Sequence, residues 1–401
     1  MKPLRVLLPF EDALETVAKH ISPMDRTEEV PLDEAGGRVL ADDLTAKYDT
    51  PPFDRGLMDG YAVKAGDTKG ASAETPVRLA LTGVIHAGET PKVAIGTGQC
   101  VQSATGAMLA EGADAVVKVE DTSSDGGVIE IHAEAAPQTN VSKKGSDIRA
   151  GDIILKAGTY LDPSKVGVLA SQGLERVRVF AKPRVGIMSS GEEVVEQGIP
   201  LQSGQLYDIN SFTIASVVRE NGGEPQRLGI LHDEVADIRE KISRALRDYD
   251  VLVFSGGSSA GEKDYIAEVI QEKGIILFHG LQIKPGKPTM FAIIEGKPVF
   301  GMPGTPASAV INAVHFIGPA LRTMAHLPAK KKETVEARLS RTTTGDKGRV
   351  QFMTVRLENG EAVPVFVESS AITSIARADG YFRIEVGQTV EKGTTVKVTL
   401  F

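Results

Sequence analysis

The run Asp250-Val251-Leu252-Val253-Phe254-Ser255 is an apolar segment that opens directly onto Gly256-Gly257. Helical patterns flank it, since His232–Leu246 precedes it and Tyr265–Lys273 follows it. An apolar strand between two helices is typical of a buried strand in a parallel sheet with helices on both faces. We therefore predict a three-layer α/β domain around this strand, with ligands bound at the carboxyl ends of its strands.

The same alternation of strand and helix continues on both sides of this run. On the N-terminal side Arg184–Met188 is a predicted strand, and Ser211–Glu220 is a predicted helix closed by Asn221-Gly222-Gly223. On the C-terminal side the predicted elements are the strands Ile275–Phe278, Thr289–Ile294 and Pro298–Met302 and a final helix, Ala307–Leu321. The pattern predicts a parallel sheet for this part of the chain.

Further from the central run the pattern becomes β-rich. Residues Glu11–His20 are predicted to form a short amphipathic helix. From about residue 51 to residue 137, short β-branched runs are separated by glycines. This pattern predicts a small β module, inserted into a segment that resumes at Lys143. After the basic hinge Lys330-Lys331-Lys332, alternating strands such as Val335–Leu339 and Val363–Val367 predict a small all-β domain.

Composition excludes several classes of protein. The chain has 401 residues and a formal net charge of −8, a sign that argues against generic binding to nucleic acid or anionic membranes. Cys100 is the single cysteine, so an internal disulfide framework and cysteine-ligated zinc are excluded. Neither a signal peptide nor a run long enough to span a bilayer is evident, and we expect a cytoplasmic protein.

Ser255–Asp264 is the sharpest local motif, and three functional interpretations compete for it. A Walker A loop is rejected because Glu262 stands where the phosphate-binding lysine must be. The segment 257–261 matches the G-x-S-x-G pattern of a serine hydrolase, but Gly-Gly precedes it and the helix starts only near Asp264. The third interpretation is a loop that cradles an oxyanion or phosphate with backbone N–H groups. A purely structural glycine loop remains the simple alternative.

Two further loops carry features typical of anion sites. In Gly301–Ser308, Thr305 is a suitable N-cap and Pro306 suits the first helical turn, so the following helix offers N–H groups to an anion. In Lys284-Pro285-Gly286-Lys287-Pro288, two lysines lie on a turn held by prolines. An ordinary capped helix and a solvated turn are the alternatives for these two segments.

Carboxylates also recur in loops beside glycine or serine. They are Asp59, Asp147, Glu192-Glu193 and Asp233-Glu234. Hard oxygen ligands around phosphates suit Mg²⁺, although each of these residues alone is more often a turn or cap residue. The seven histidines show no metal-ligand spacing, and His315 is expected to be a packed residue of an apolar helix.

Taken together, these motifs resemble the MoeA-type molybdenum insertases, the molybdopterin molybdenumtransferase family that also includes the E domain of gephyrin. The resemblance covers essentially the whole chain, and its motifs occur in the family's order. They are Pro51–Arg55 with Met58–Ala62, Thr105–Ala107 with Gly112–Val117, Gly145 with Asp147-Ile148, Ser189–Glu193, Gly204 with Tyr207, Asp208 and Asn210, Ser255–Gly257 with Gly261 and Asp264-Tyr265, Lys284–Pro288, and Met302–Gly304 with Pro306 and Ser308-Ala309.

The resemblance implies four domains: a segmented elongated domain (1–50 and 141–180), an inserted β module (51–140), a molybdopterin-binding α/β domain (181–327) and a C-terminal β barrel (328–401). It also implies a cytoplasmic homodimer that inserts molybdenum from molybdate into adenylylated molybdopterin, with Mg²⁺ and release of AMP. Its ligands would be small molecules, and a molybdopterin adenylyltransferase is the candidate protein partner.

The resemblance also assigns roles to individual residues. Asp264 and Glu193 would handle Mg²⁺ and the adenylyl phosphate. The pterin and phosphate groups would contact Gly256, Gly257, Ser259, Gly261, Pro303, Thr305, Pro306 and Ser308. Molybdate would be held by Lys284, Lys287, Arg349 and Ser370. Asp59, Thr105 and Asp147 would complete the cleft from the other domains, and Asp233 would line its α/β side.

Some positions depart from the family's usual residues. Gly256–Gly261 reads Gly-Gly-Ser-Ser-Ala-Gly instead of Gly-Gly-Val-Ser-Val-Gly, and Gly304–Ser308 reads Gly-Thr-Pro-Ala-Ser instead of Gly-Asn-Pro-Val-Ser. Ala371 stands where an arginine often follows the paired serines. Two alternatives therefore stand beside the insertase: an adenylyl-transfer or pyrophosphate-hydrolysing enzyme on the same α/β domain, and a non-catalytic dimeric paralogue.

Overall fold

The computed structural model describes residues 6–232, 234–256 and 265–401, which form two compact units. The first unit contains the described residues of Met1–Glu29, Gly37–Val39 and Arg178–Phe401, and the second contains Val30–Gly36 and Leu40–Val177. No helix in the described ranges combines the length and the apolar character that crossing a bilayer requires. The boundaries of the four domains given above stay a prediction.

The helices and strands of the described residues are named here in chain order. The α-helices are α1 (Phe10–His20), α2 (Pro163–Ser171), α3 (Asn210–Glu220), α4 (Val235–Asp248), α5 (Tyr265–Lys273), α6 (Pro306–Asn312), α7 (Gly318–Met324) and α8 (Thr373–Ala376), with a π-helix at Ala313–Ile317 and 3₁₀ turns at Leu32–Glu34, Ala65–Thr68 and Val119–Asp121. The strands are β1 (Thr27–Pro31), β2 (Leu44–Thr45), β3 (Arg55–Gly56), β4 (Gly60–Val63), β5 (Val77–Ile85), β6 (Gln99–Ser103), β7 (Ala115–Lys118), β8 (Thr122–Asp125), β9 (Val128–Ile131), β10 (Val141–Ser142), β11 (Ile153–Leu155), β12 (Arg176–Phe180), β13 (Arg184–Ser190), β14 (Val194–Val195), β15 (Leu206–Tyr207), β16 (Glu224–Leu231), β17 (Val251–Ser255), β18 (Gly274–His279), β19 (Ile283–Lys284), β20 (Met290–Ile294), β21 (Lys297–Met302), β22 (Thr334–Leu339), β23 (Thr343–Thr344), β24 (Val350–Glu358), β25 (Glu361–Pro364), β26 (Gly380–Ile384), β27 (Thr389–Val390) and β28 (Thr395–Leu400).

The α/β domain of the first unit has the predicted three layers. Its sheet has the order β16-β13-β17-β21-β20-β18. Val251 and Val253 of β17 face a core built with α1, α3 and α6, whereas Leu252 and Phe254 face the core formed with α4 and α5. Because successive side chains of a strand point to opposite faces, a fully apolar β17 is what a sheet covered on both faces requires.

The prediction that this sheet is wholly parallel is wrong at one strand. The pairings of β13 with β16 and β17, and of β17 with β21, are parallel, but β20 runs antiparallel to β21 and β18. The physical reason is the two-residue turn Glu295-Gly296, in which both residues have positive φ angles of 50° and 76°. A turn of this length and conformation can only reverse the chain into a hairpin.

The C-terminal part of the first unit is the predicted all-β domain. Its strands follow the order β24-β25-β22-β28-β26, and pairing of β24 with β26 closes them into a five-stranded barrel. The short strand β19 adds to it in parallel with β24. The strand predicted at Val363–Val367 is found at Glu361–Pro364 instead. The two-residue turn Asn359-Gly360, in which both residues have positive φ angles, starts the pairing with β24 already at Glu361.

The second unit contains the predicted β module. Its curled sheet has the order β7-β4-β6-β5-β9-β8, and its apolar core includes Leu79, Val101 and Ile129. Two short antiparallel pairs, β10 with β3 and β11 with β2, accompany this sheet. Asp162 caps α2 by accepting a hydrogen bond from the Lys165 N–H.

Candidate functional site

The turn that follows β13 carries the Glu193 carboxylate. Gly191 has a φ of 141°, and a Cβ atom there would lie 2.7 Å from Glu193 Oε2. The exposed Glu193 side chain is therefore folded over Gly191, and its backbone carbonyl accepts a hydrogen bond from the Leu206 N–H at 2.8 Å. A glycine permits this close approach and leaves a carboxylate at the carboxyl end of a parallel strand.

Gly256 connects three strand ends at the same edge of the sheet. Its N–H donates to the Met302 carbonyl at 3.1 Å, and its φ is +84°. A Cβ atom on Gly256 would lie 2.2 Å from the Ser190 carbonyl oxygen, and one on Gly304 would lie 3.4 Å from the Gly256 Cα. The ends of β13, β17 and β21 therefore meet in backbone contact, as the sequence motifs predict for a ligand-binding edge.

Asn210 connects two of these strand ends, a contact that was not predicted from the sequence. Its Nδ2 donates to Ser255 Oγ at 2.7 Å and to the Gly304 carbonyl at 2.8 Å, and the residue is 7% exposed. Nearby, Asp208 Oδ1 accepts from Ser189 Oγ at 2.8 Å and from the Ser211 N–H at 3.0 Å. Asp208 and Asn210 belong to a recognised motif, so the motif itself was the available signal.

The start of α6 differs in two respects from the predicted anion site. Thr305 occupies the N-cap position and Pro306 the first turn, as expected, but Thr305 Oγ1 donates to Ser308 Oγ at 2.7 Å instead of capping a backbone N–H. The Ala307 N–H is not free, because it donates to the Ser369 carbonyl at 3.1 Å. A loop of the C-terminal barrel thus supplies the acceptor that an anion would otherwise provide.

The lysine-bearing turn packs against α6. A Cβ atom on Gly286, whose φ is +119°, would lie 2.0 Å from Asn312 Nδ2, so only glycine fits between the turn and the helix. Asn312 is fully buried, and its Nδ2 donates to Thr289 Oγ1 at 2.7 Å. The turn is therefore held rigidly, and Lys284 and Lys287 at its ends are half-buried.

Lys284 meets a second cation from the barrel through a shared carboxylate. The parallel pairing of β19 with β24 brings Lys284 near Arg349, and Asp346 lies between them. Asp346 Oδ2 is 2.8 Å from Arg349 Nη2 and 3.6 Å from Lys284 Nζ. The hydrogen bond from Arg349, the Gly348 N–H and the two nearby cations lower the pKa of Asp346 to about 2. Asp346 belongs to none of the sequence motifs described above.

Other predicted residues of the first unit take simpler positions. Ser370 is exposed, and its hydroxyl donates to Glu368 Oε1 at 2.5 Å. Pro303 is buried beside the strand end of β21. Ser370 follows Ser369, whose carbonyl contacts α6, so this barrel loop lies against the start of α6.

The predicted residues of the second unit are loop residues. Thr105 donates to Asp59 Oδ1 through its backbone N–H at 2.7 Å and its hydroxyl at 3.0 Å. These two hydrogen bonds lower the pKa of Asp59. Asp147 is exposed, and its backbone N–H donates to the Thr50 carbonyl at 3.0 Å.

Five of the predicted site residues lie outside the residues that the structure describes. They are Asp233, Gly257, Ser259, Gly261 and Asp264. Among the described residues, no group of three or more His, Cys, Asp and Glu side chains is arranged to hold a metal ion. His315 is a packed residue, as predicted, since it lies in the π-helix between Phe10, Phe352 and Tyr381.

The predicted site residues of the first unit carry side chains of the kinds that an anionic ligand requires. Cations are supplied by Lys284, Lys287 and Arg349, and hydroxyls by Thr305, Ser308 and Ser370. Fixed hydrogen-bond donors and cations are what tetrahedral oxyanions and phosphates require. The Glu193 carboxylate adds an oxygen ligand of the kind that divalent cations prefer.

Three family models match almost the whole chain. Residues 8–173 match the MoeA N-terminal region (domains I and II), residues 186–323 match a probable molybdopterin binding domain, and residues 336–401 match the MoeA C-terminal region (domain IV).

Individual relatives extend over the full length. The molybdopterin molybdenumtransferase of Bacillus subtilis is 32% identical over 99% of this chain and 94% of its own length. The enzyme of the same name from Haemophilus influenzae is 30% identical over 96% of this chain and 98% of its own. A crystal structure of the molybdopterin biosynthesis MoeA protein from Pyrococcus horikosii superposes with a TM-score of 0.83, at 40% identity and with coverage of 98% of this chain and 99% of that one.

Proposed function

The chain belongs to the MoeA family of molybdopterin molybdenumtransferases, transferases of molybdenum cofactor biosynthesis, and on this basis we propose a role for each group of its site residues. The overall reaction inserts molybdenum from molybdate into adenylylated molybdopterin and releases AMP. The reaction needs a site for a pterin phosphate, a site for a tetrahedral oxyanion, and groups that stabilise charge while the phosphoanhydride breaks.

One observation carries the assignment of the pterin phosphate site. The ends of β13, β17 and β21 meet in backbone contact at Gly256, at the carboxyl edge of the parallel strands. Ligands of open α/β sheets bind at this edge, and glycines allow close approach of their phosphate groups. The pterin and phosphate groups would contact Gly256, Pro303, Thr305, Pro306 and Ser308, together with Gly257, Ser259 and Gly261, which lie outside the described residues.

The oxyanion site would lie where the lysine turn meets the barrel. Lys284 and Arg349 both contact the Asp346 carboxylate, and Lys287 lies on the same turn as Lys284. With Ser370 from the barrel loop, these residues would supply the charges and the hydroxyl that hold molybdate. Arginine adds directional N–H groups that match the geometry of oxyanions.

We propose that Glu193 and Asp264 are the carboxylates that would hold Mg²⁺ at the strand edge. Mg²⁺ usually keeps several waters and takes one or two carboxylates together with substrate phosphate oxygens. Glu193 lies exposed after β13, and Asp264 would be the second carboxylate. When bound, the ion supplies charge neutralisation of the breaking phosphoanhydride, and Glu193 would hold it beside the adenylyl phosphate.

Several finer points of this proposal rest on the family resemblance. They are a cytoplasmic homodimer, a molybdopterin adenylyltransferase as protein partner, the four-domain division, and roles for Asp59, Thr105, Asp147 and Asp233. Among these residues, Asp59 accepts two hydrogen bonds from Thr105, which hold its carboxylate in place.

The rival functions are less well supported. A stand-alone adenylyltransferase or pyrophosphatase would not need the N-terminal and C-terminal regions that this chain shares with its full-length relatives. A non-catalytic paralogue would not need to retain the cations, and Lys284, Lys287 and Arg349 are all present.

The test is turnover with the full chain. Adenylylated molybdopterin, Mg²⁺ and molybdate are incubated with the protein, and AMP release and cofactor formation are followed. Lys284→Ala and Arg349→Ala should each raise the KM for molybdate about tenfold or more, since a charge-assisted hydrogen bond is worth roughly 1.5–3 kcal/mol.

Lys392→Ala is the matched control, because Lys392 is an exposed lysine of the same barrel. It should leave the KM for molybdate unchanged. Absence of AMP release from the wild-type chain would contradict the insertase, whereas turnover with an unchanged KM in both variants would contradict only the assignment of the oxyanion site.

A further inference from the structure

A carboxylate already occupies the space between the two cations that we assign to molybdate. Asp346 and Arg349 form a two-point contact, with Arg349 Nε 3.3 Å from Oδ1 and Nη2 2.8 Å from Oδ2. Lys284 Nζ lies 3.6 Å from the same Oδ2. The side chain of Asp346 is 18% exposed, less than those of Lys284 at 38% and Arg349 at 29%. The carboxylate is therefore the most deeply placed member of the cluster.

The backbone of the loop that carries Asp346 is anchored by contacts that do not involve the two cations. The Asp346 carbonyl accepts a hydrogen bond from the Gly387 N–H at 2.8 Å, and the Gly345 N–H donates to the Gln388 carbonyl at 2.9 Å. The Gly348 N–H also donates to Asp346 Oδ1 at 3.0 Å. Since the backbone of the loop is anchored by the 387–388 turn, loss of the carboxylate charge should leave the loop in place.

This arrangement has a direct consequence for an incoming oxyanion. Two of the five N–H donors of the Arg349 guanidinium, one on Nε and one on Nη2, already point at Asp346. A dianion that reaches Lys284 and Arg349 must also approach the negative charge of Asp346. The three side chains together carry a charge of +1, whereas the two cations alone would carry +2.

We propose that Asp346 is an internal counter-ion of the oxyanion site, which competes with molybdate for Lys284 and Arg349. This inference rests on the proposed function. In it, Asp346 sets the affinity of the oxyanion site for its ligand. In the free protein Asp346 keeps the two cations paired and close together. On binding, the oxyanion replaces the carboxylate at Lys284 and shares Arg349 with it. Affinity is therefore lower than that of two unopposed cations, and a bound oxyanion leaves more readily.

The size of the effect follows from Coulomb's law. The repulsion between one carboxylate and a dianion about 5 Å away in water corresponds to roughly a tenfold change in the binding constant. Removal of the charge should therefore increase affinity by about that factor. A role in which Asp346 only orients Arg349 makes the opposite prediction, because loss of the carboxylate would then loosen the guanidinium and weaken binding.

The test measures binding of molybdate alone to the full-length protein by isothermal titration calorimetry. Asp346→Asn keeps the size of the side chain, and Asp346→Ser serves as a second variant should the first not fold. Glu336→Gln is the matched control, since it removes one negative charge from an exposed position of the same barrel. We expect molybdate to bind about tenfold more tightly to both Asp346 variants and with wild-type affinity to Glu336→Gln.

Two results would overturn the inference, and they are distinguishable. Unchanged or weaker binding to the Asp346 variants, together with weaker binding to Lys284→Ala, would show that the oxyanion site is correct and that Asp346 is not its competitor. Wild-type affinity in both Lys284→Ala and Arg349→Ala would place the oxyanion site elsewhere, and the inference would fail together with that part of the proposed function.

Discussion

At the scale of single residues, Gly256 is the position where the backbone leaves least room. It has a positive φ of 84°, and the Ser190 carbonyl oxygen stands 2.2 Å from where a Cβ atom would be. Any other residue must both adopt a left-handed conformation and displace the end of β13. Glycine is therefore required at position 256 if the ends of β13 and β17 are to keep this contact.

Substitution of Gly256 by alanine should destabilise the protein and abolish most of its activity. Gly204→Ala is the matched control, because Gly204 has a φ of +86° with no atom within 4 Å of its Cβ position. The control should lose about 1–2 kcal/mol from the left-handed conformation alone, and Gly256→Ala should lose roughly 1–3 kcal/mol more from the clash. Free energies of unfolding from urea denaturation measure both, and equal losses would show that the contact with Ser190 carries no cost.

Among the close contacts at this scale, the one made by Asn210 was not predicted from the sequence. The sequence predicted that Gly256 allows a close approach of the backbone to a ligand and that Gly286 belongs to a turn. In the structure both glycines lie where a Cβ atom would clash, with the Ser190 carbonyl and with Asn312 respectively. The bridge from Asn210 to Ser255 and Gly304 was not predicted, because these three residues are distant in the sequence and an asparagine at a helix start is usually only a cap.

At the scale of elements, the helix that follows β21 is continuous but irregular. The segments α6 and α7 are joined by the π-helix Ala313–Ile317, where the sequence predicted one uniform helix. His315 lies in this segment, 6% exposed, and its Nε2 has no hydrogen-bond partner among the described residues. Burial among aromatic rings lowers the pKa of His315 to about 3.

The buried imidazole predicts a pH dependence of stability with a defined sign. Below pH 6.5 the unfolded chain binds a proton at His315 that the folded chain does not bind until about pH 3. Stability from this residue is therefore complete above pH 6.5 and is lost as the pH falls toward 3, by up to about 1.4 kcal/mol per pH unit. His315→Phe should remove this slope in urea denaturation between pH 8 and pH 4.

Phe316→Leu provides the comparison for that experiment, since it alters the neighbouring buried side chain without removing a titrating group. Its stability curve should run parallel to that of the wild type. If the curve of His315→Phe were parallel as well, the buried histidine would not contribute to the pH dependence.

The type of most elements was predictable from the sequence, but the direction and pairing of some were not. The helix α5 was predicted at its observed bounds, Tyr265–Lys273, because its apolar spacing is regular. The strand β16 was not predicted, since Glu224–Leu231 contains a proline and several polar residues. Such a composition is tolerated at the edge of the sheet, where β16 lies.

At the scale of the whole molecule, the parts of the first unit share one core. Phe10 of α1 is 5.1 Å from the ring of His315, 5.8 Å from that of Phe316 and 5.0 Å from that of Phe352 in the barrel. The same core includes Val253 of the α/β sheet. The N-terminal helix therefore joins the α/β sheet to the barrel within this unit.

Phe10→Ala should lower the free energy of unfolding by about 3–5 kcal/mol, the usual cost of a buried phenylalanine. Glu11→Gln is the control on the same helix, since it removes an exposed ion pair with Arg383 that is worth at most about 1 kcal/mol. Hydrogen exchange should show weaker protection in both the α/β sheet and the barrel of Phe10→Ala. Loss of protection in only one of them would mean that the two do not share a cooperative core.

Local patterns were enough to predict the α/β domain, the β module, the terminal β domain and the glycine turns, because apolar periodicity, glycine and proline act on the nearest few residues. Three other features appear only in the folded chain: the bridge from Asn210 to Ser255 and Gly304, the contact of the Ser369 carbonyl with the Ala307 N–H, and the cluster of Lys284, Asp346 and Arg349. Each of these contacts joins residues that are far apart in the sequence and are brought together by strand pairing or helix docking. No local sequence pattern specifies which distant residue will be the partner. Charge and hydrogen-bond complementarity then fix the contact once folding has brought the partners together.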